Sequence, residues 1–279
     1  MTTTTVVAPP KLPLWRTIGQ AYAVWARNFP DLIRTVWVWM LLMAPVLAII
    51  LWWQEPRLVE MMQAARAGER FADPNPVLTL VTQIISQVIV LPALASVAVA
   101  WHRLLLRDEH PGPGVYLRLD SIVVGYAILA FWIGVIGLGP SYVSRMFQSV
   151  TATSASIPGG AALVVQSLAG LVSIITFFIV ARLSLALPGI ALGRDDVTLA
   201  TAWRTSKRNI WRMFWAYFLC ILPWGAISAG ISYWLFLPDN GRAGVTLVWV
   251  VMGLLWIPIG MISVGLLSLA YRHFFERSA

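Results

Sequence analysis

Six long apolar runs are the feature that most constrains the fold of this chain. They cover roughly residues 32–53, 79–101, 121–143, 161–181, 213–237 and 246–270. Each run has about 20 residues or more, which is the length an α-helix needs to cross ~30 Å of hydrocarbon. Unpaired backbone groups are costly in lipid, so we expect helices rather than strands. The sequence therefore predicts an all-α, polytopic integral membrane protein with six transmembrane helices.

The composition supports lipid as the solvent. Hydrophobic residues make up 59% of the chain and charged residues 11%, against ~25% charged in ordinary soluble domains. The single cysteine, Cys220, lies inside an apolar run, which excludes a disulfide framework and a cysteine-based metal site. We expect no cofactor. The net charge of +8 would suggest nucleic acid in a soluble protein, but here we expect no nucleic-acid partner.

The positive charge is unevenly divided between the two sides of the predicted membrane. Fifteen of the 20 lysines and arginines lie in the segments on the side of both termini, and five lie on the other side. Short loops rich in Lys and Arg stay in the cytoplasm. The distribution therefore predicts a multi-pass protein whose N- and C-termini are both cytoplasmic.

The most basic stretch is LATAWRTSKRNIWRMFWAY, residues 199–217. Its apolar side chains recur at helical spacings, namely Leu199, Trp203, Ile210 and Phe214. We expect one amphipathic helix there, capped by Asp195 or Asp196 and lying in the cytoplasmic membrane interface with its indoles at headgroup depth. The side chains predicted to contact phospholipid headgroups are Arg204, Lys207, Arg208, Trp203 and Trp211.

Similar segments recur along the chain and suggest three related units. AYAVWARNF near the N-terminus matches AWRTSKRNI, and three apolar runs end alike in AVAWHRLLL, FIVARLSLA and SLAYRHFFE. These endings place Arg103, Arg182 and Arg272 at equivalent points, where we expect headgroup contacts. We predict a disordered polar tail (1–13) and one six-helix domain (14–279), with helical hairpin units at about 14–107, 108–193 and 194–279. The alternative is that one membrane interface selects the same residues repeatedly.

Titratable side chains are densest in WHRLLLRDEHPGPG, which holds His102, Asp108, Glu109 and His110. Two histidines and two carboxylates are metal-ligand types, but their spacing fits no known helical or hairpin metal motif. We therefore expect a solvated loop beside the membrane surface. No nucleotide-binding or hydrolase motif occurs in the chain either, so the prediction is a protein that is not an enzyme.

Proline lies in five of the six runs, at Pro45, Pro92, Pro140, Pro223 and Pro258. Proline kinks helices, and transporters use broken helices around their substrate sites, although proline is also simply better tolerated in lipid than in water. A helix from Ala161 to Leu192 would be ~48 Å long, more than the bilayer requires. We therefore expect residues 183–192 to bend at Pro188 and lie along the surface.

The segments AWHRLLLRDEHPG, ARLSLALPGIALG and AWRTSKRNIWRMF occur in this order between apolar hairpins. In this the chain resembles uncharacterised six-helix bacterial inner-membrane proteins, a group related to the membrane domain of some glycerophosphodiester phosphodiesterases. The resemblance covers most of the chain from about residue 15. It implies the six-helix fold and a bacterial inner (plasma) membrane location. It carries over no catalytic residue, because this chain lacks an acidic catalytic cluster.

These observations leave three functions open. The first is a non-enzymatic protein that supports envelope or lipid homeostasis by binding membrane phospholipids or a partner protein. The second is a transporter or flippase for a lipid-like or small apolar substrate, although no intramembrane charge couples it to an ion gradient. The third is an enzyme acting through His102 and its neighbours. We rank them in that order.

Overall fold

The computed structural model describes residues 11–67, 75–112, 114–153, 159–235 and 242–276. Within those ranges the chain is helical and contains no strand, as the sequence predicted. The helices are α1 (Leu14–Arg27), α2 (Phe29–Arg66), α3 (Pro76–Arg107), α4 (Ser121–Thr153), α5 (Gly159–Leu183), α6 (Leu187–Ala191), α7 (Leu199–Ser206), α8 (Ile210–Leu235) and α9 (Arg242–Tyr271). A 3-10 turn (Ser184–Ala186) precedes α6, and a π-helical turn (Arg272–Glu276) follows α9.

Six of these helices are long and apolar enough to cross a membrane. The candidate spans are Phe29–Gln54, Val77–Arg107, Ser121–Pro140, Ser167–Ala191, Ile210–Ile231 and Leu255–Glu276. Each of them overlaps one of the six predicted runs, which confirms the number of candidate spans by length and composition. The helices themselves are longer than the runs, since α2 has 38 residues and is therefore ~57 Å long. The arrangement in three hairpin units stays a prediction.

Helix α9 lies at the centre of the helix packing. It contacts α1, α2, α3 and α8, while α4 packs between α3 and α5. One buried cluster joins α2, α3 and α9 through side chains such as Val36, Val97 and Met261. Another joins α1, α8 and α9 through Ala21, Cys220 and Ile262. The core is thus built around the last long helix of the chain.

Many large apolar side chains on the long helices point away from this core. Trp52 is 72% exposed, Leu163 70% and Ile49 64%. On a soluble monomer, exposed apolar surface of this extent would mark a site of contact with a membrane or another protein. The exposed apolar faces are therefore compatible with a transmembrane protein.

The segment after α5 differs from the prediction. The α-helix ends at Leu183, before Pro188, and the chain passes through the 3-10 turn into α6. Pro188 stands in the first turn of α6, where its missing N–H costs no hydrogen bond. Leu185 and Ala191 are fully buried. The prediction that this segment bends at Pro188 and lies along the surface was wrong, because α6 packs against α3, α4 and α9 inside the bundle.

The basic stretch 199–217 is also not one helix. Helix α7 ends at Ser206 and α8 begins at Ile210, so residues 207–209 interrupt it. Its N-cap is Thr198, which forms a capping box with Thr201, and not an aspartate. The buried side of α7 carries the small residues Ala202 and Ser206, whereas Leu199 and Trp203 are exposed. The expected single helical face was therefore wrong.

The chain is already ordered ahead of α1. Leu12, within the range predicted as a disordered tail, is buried. Its backbone N–H donates to Asn209 Oδ1 at 2.8 Å. Residues 1–10 of the predicted tail lie outside the described residues.

Candidate functional site

The predicted site residues gather at one end of the bundle, which we call the basic end. It is the end where α2, α4 and α8 begin and where α3, α5 and α9 finish. Side-chain contacts connect these ends, including His110 Nδ1 with Asp31 Oδ2 at 2.8 Å and Arg212 Nη1 with the Leu12 carbonyl at 2.7 Å. At the basic end, polar contacts therefore link the ends of several helices.

Three arginines at the ends of α3, α5 and α9 each donate to a backbone carbonyl on another segment. Arg103 Nε donates to the Ala191 carbonyl at 2.8 Å. Arg182 Nη2 donates to the Trp203 carbonyl, and Arg272 Nη2 donates to the Leu105 carbonyl. These contacts run from the first predicted unit to the second, from the second to the third, and from the third back to the first. Arg103, Arg182 and Arg272 thus hold the protein together, a role that the sequence analysis missed.

Arg182 is the most enclosed of the three. Its Cζ lies 3.5 Å from the centroid of the Trp203 ring, and its Nε donates to Ser206 Oγ at 3.0 Å. The residue is 8% exposed. Since its guanidinium is occupied by α7, Arg182 serves chiefly to fasten α7 to the end of α5. Its predicted headgroup contact remains a prediction.

The remaining predicted residues form an exposed patch, the basic aromatic surface: Trp203, Arg204, Lys207, Arg208 and Trp211. Trp211 is 62% exposed and Trp203 40%. In the part of the chain that the structure describes, no carboxylate lies within ion-pair distance of its three cations. The break at residues 207–209 places this surface at the junction of α7 and α8. Cations and indoles are therefore presented outward together.

His102 does not belong to the exposed loop that follows it. It is 0% exposed, its Nδ1 lies 2.7 Å from Ser268 Oγ, and its Nε2 lies 3.2 Å from Tyr126 Oη. Asp108, Glu109 and His110 are exposed, as predicted for a solvated loop. For His102 that prediction was wrong, because this side chain joins α3, α4 and α9 inside the core. Among the described residues, no group of three or more His, Cys, Asp or Glu could hold a metal ion.

The Asp120 carboxylate holds the end of the loop between α3 and α4 in place. Arg118 Nε donates to Asp120 Oδ2 at 2.6 Å, and the Val123 N–H donates to Asp120 Oδ1 at 3.0 Å. Partial burial would raise the pKa of Asp120, but these two donors outweigh it and the pKa is lowered. Burial raises the pKa of the neighbouring Tyr116. Asp120 therefore stays a carboxylate that caps the start of α4.

No protein-family model, no curated protein and no solved structure matches this chain. The resemblance to six-helix inner-membrane proteins and to the membrane domain of glycerophosphodiester phosphodiesterases thus stays a prediction.

Proposed function

We propose that this chain is a non-enzymatic, multi-pass protein of the bacterial inner membrane that binds phospholipid headgroups. It contributes in this way to envelope or lipid homeostasis. The observation that carries the proposal is the basic aromatic surface, where Arg204, Lys207 and Arg208 are exposed beside Trp203 and Trp211. The basic end then faces the cytoplasm, together with both termini.

The physical basis is the match between this surface and an anionic leaflet. Each Lys or Arg near such a leaflet contributes ~1 kcal/mol to the free energy of membrane binding. Salt screens this attraction, which falls off within a Debye length of the surface. Exposed tryptophans favour headgroup depth, because their rings are apolar and their N–H groups need an acceptor. In this arrangement α7 lies in the membrane interface.

The test compares the lipids that accompany the protein when it is extracted in polymer discs. Neutralising Arg204, Lys207 and Arg208 to Gln should reduce the enrichment of anionic phospholipid over the bulk membrane. The matched control neutralises three other exposed cations of the same end, Arg16, Arg27 and Arg34, and should keep that enrichment. Equal losses in both triple variants would mean that only bulk charge matters, and no loss in either would reject the headgroup site. A protein recovered at 1:1 in place of enriched lipid would point to an assembly partner.

An apolar cavity supports the second candidate, a transporter or flippase for a lipid-like substrate. The cavity has a volume of about 200 Å³ and lies between α2, α3 and α9. Its lining residues Ala93 and Ile257 follow and precede the helix prolines Pro92 and Pro258. Prolines release backbone hydrogen bonds and favour bending, so these helices have a built-in point of movement beside the cavity. Flux of a fluorescent phospholipid in proteoliposomes, abolished by Pro92→Ala, would establish this function over headgroup binding alone.

A further inference from the structure

A second, polar cavity lies at the basic end, between the start of α2, the end of α3 and the loop that follows. Its volume is about 110 Å³. The polar side chains in its lining are Thr35, Arg103, Glu109, His110, Tyr116 and Arg118. Two guanidiniums and one carboxylate therefore line one partly open space, whereas the basic aromatic surface presents its cations outward.

The polar and apolar cavities follow one another along the seam between α2 and α3. On α2, Thr35 lines the polar cavity, and Trp39 and Met43 line the apolar one. These residues are four apart and share one helical face. On α3, Trp101 lines the polar cavity, and Val97 and Leu94 line the apolar one, again at spacings of four and three. The same faces of the same two helices build both cavities.

Together the two cavities cover about the depth of one lipid leaflet. Twelve residues separate Thr35 from Leu47, which is ~18 Å along a helix. Half of a bilayer that includes its headgroups is ~20–22 Å. A polar space at the basic end and an apolar space above it thus match the length and polarity of one phospholipid.

We propose that the α2–α3 seam binds a single phospholipid with a zwitterionic, amine-bearing headgroup. A segment of one acyl chain occupies the apolar cavity, and the phosphodiester accepts hydrogen bonds from Arg103 and Arg118. The ammonium group pairs with Glu109. This site rests on the proposed function only in that its ligand is also a phospholipid. The residues that line it are not those of the basic aromatic surface.

The charges that face the polar cavity favour a zwitterionic headgroup over an anionic one. Glu109 Oε2 accepts from Arg103 Nη1 at 3.0 Å, and its other oxygen lies 3.7 Å from Arg107 Nη1. Arg118 pairs with Asp120, and His110 with Asp31. Because acids balance the guanidiniums, a headgroup bringing one anion and one cation can replace these contacts in kind, whereas an anion alone would leave Glu109 with only its longer contact to Arg107.

Two buried indoles along the seam lack a hydrogen-bond acceptor. Trp39 lines the apolar cavity and Trp101 the polar one, and neither Nε1 atom has a partner in the described part of the chain. Buried donors are usually paired. Both nitrogen atoms are covered by protein, and Trp101 Nε1 lies beside Gly265 of α9, so neither reaches a lipid in the cavities.

The first experiment measures which phospholipid the full chain retains, by native mass spectrometry after detergent extraction and incubation with equal amounts of phosphatidylethanolamine and phosphatidylglycerol. The unmodified protein should retain one phosphatidylethanolamine. Ala93→Phe, which fills the apolar cavity, and Arg118→Gln should each reduce retention at least tenfold. Their matched controls, Leu41→Phe on the exposed face of α2 and Arg34→Gln outside both cavities, should retain it. Preference for phosphatidylglycerol would overturn the proposed headgroup contacts.

The second experiment needs no variant and so does not depend on folding of a mutant. Phosphatidylethanolamine carrying a diazirine in one acyl chain should label peptides of α2, α3 and α9 that line the apolar cavity. Labelling spread over the exposed faces of α5 and α8 without enrichment at α2 and α3 would overturn the site. If the Arg204, Lys207 and Arg208 variant loses anionic lipid while this labelling fails, the proposed function stands and the seam site falls. The reverse result would place lipid binding in the seam alone.

Discussion

The guanidinium of Arg182 lies against the ring of Trp203, with 3.5 Å between Cζ and the ring centroid. The contact joins the end of α5 to α7, and hydrogen bonds to Ser206 Oγ and the Trp203 carbonyl reinforce it. Trp203 is nevertheless 40% exposed. Trp203 therefore packs against an arginine of the protein on part of its ring, and the rest of its surface stays exposed.

Replacing Arg182 should destabilise the protein. Arg182→Gln removes a desolvated cation–π contact of about 2 kcal/mol and leaves the Trp203 carbonyl without its charged donor. We expect a loss of about 2–4 kcal/mol in the free energy of unfolding, measured by thermal or denaturant unfolding in micelles. Arg182→Lys should recover little of it, since an ammonium cannot replace the planar guanidinium. Arg34→Gln, whose side chain is 64% exposed, is the control and should behave as the unmodified protein. An unchanged Arg182→Gln would contradict the fastening role.

His102 should act as a structural junction and not as a metal ligand. His102→Ala leaves the buried Ser268 and Tyr126 hydroxyls without their shared partner, at a cost of about 1–3 kcal/mol. A double-mutant cycle with Ser268→Ala should show a coupling of about 0.5–1.5 kcal/mol. Zinc or manganese should leave the melting temperature unchanged. A metal-induced rise that His102→Ala abolishes would revive the metal site.

Gly189 should not tolerate a side chain. A Cβ atom there would lie 2.7 Å from Val197 Cβ and 2.9 Å from its Cγ1. Gly189→Ala should therefore lower stability by about 1–3 kcal/mol through overpacking, and the same change should cost less in a Val197→Gly background, which lacks both of the contacted carbons. Gly170→Ala in α5, where nothing lies within 4 Å of the added carbon, serves as control. An equal cost of Gly189→Ala in both backgrounds would show that this contact is not the cause.

Stability should fall in acid partly through Asp120. Its pKa in the folded protein lies below the ordinary value of 3.8, so the folded state favours the carboxylate. The contribution is present above the unfolded value and is lost as the pH falls through the folded one, below pH ~4. Melting temperatures between pH 6 and pH 3 should decline less steeply for Asp120→Asn than for the unmodified chain. Parallel declines would show that Asp120 is not linked to this loss.

The long helices were predictable because a segment that can cross lipid has to meet one simple requirement. A run such as 121–143 must be apolar and helical throughout, and α4 indeed begins at Ser121. Helix lengths were less predictable. The continuation of α2 to Arg66 carries charges beyond the apolar run, and composition does not distinguish an extended helix from a separate one.

The basic end was harder to predict, since its contacts join residues far apart in sequence. Leu12 and Asn209 are 197 positions apart, so no local sequence pattern predicts the hydrogen bond between them. His102 stands beside charged residues in the sequence but faces Ser268 in the fold. Arginine near a helix end predicts a headgroup contact by composition alone. Only the packing shows that Arg182 turns toward Trp203.

The central place of α9 has a consequence for biosynthesis. The ribosome makes α1, α2, α3 and α8 before α9, yet each of them packs on it. Until α9 is synthesised, buried residues such as Val97 and Cys220 lack the neighbour that covers them, and Leu105 lacks Arg272. In the proposed membrane arrangement, the earlier helices therefore remain in a half-assembled state that α9 completes.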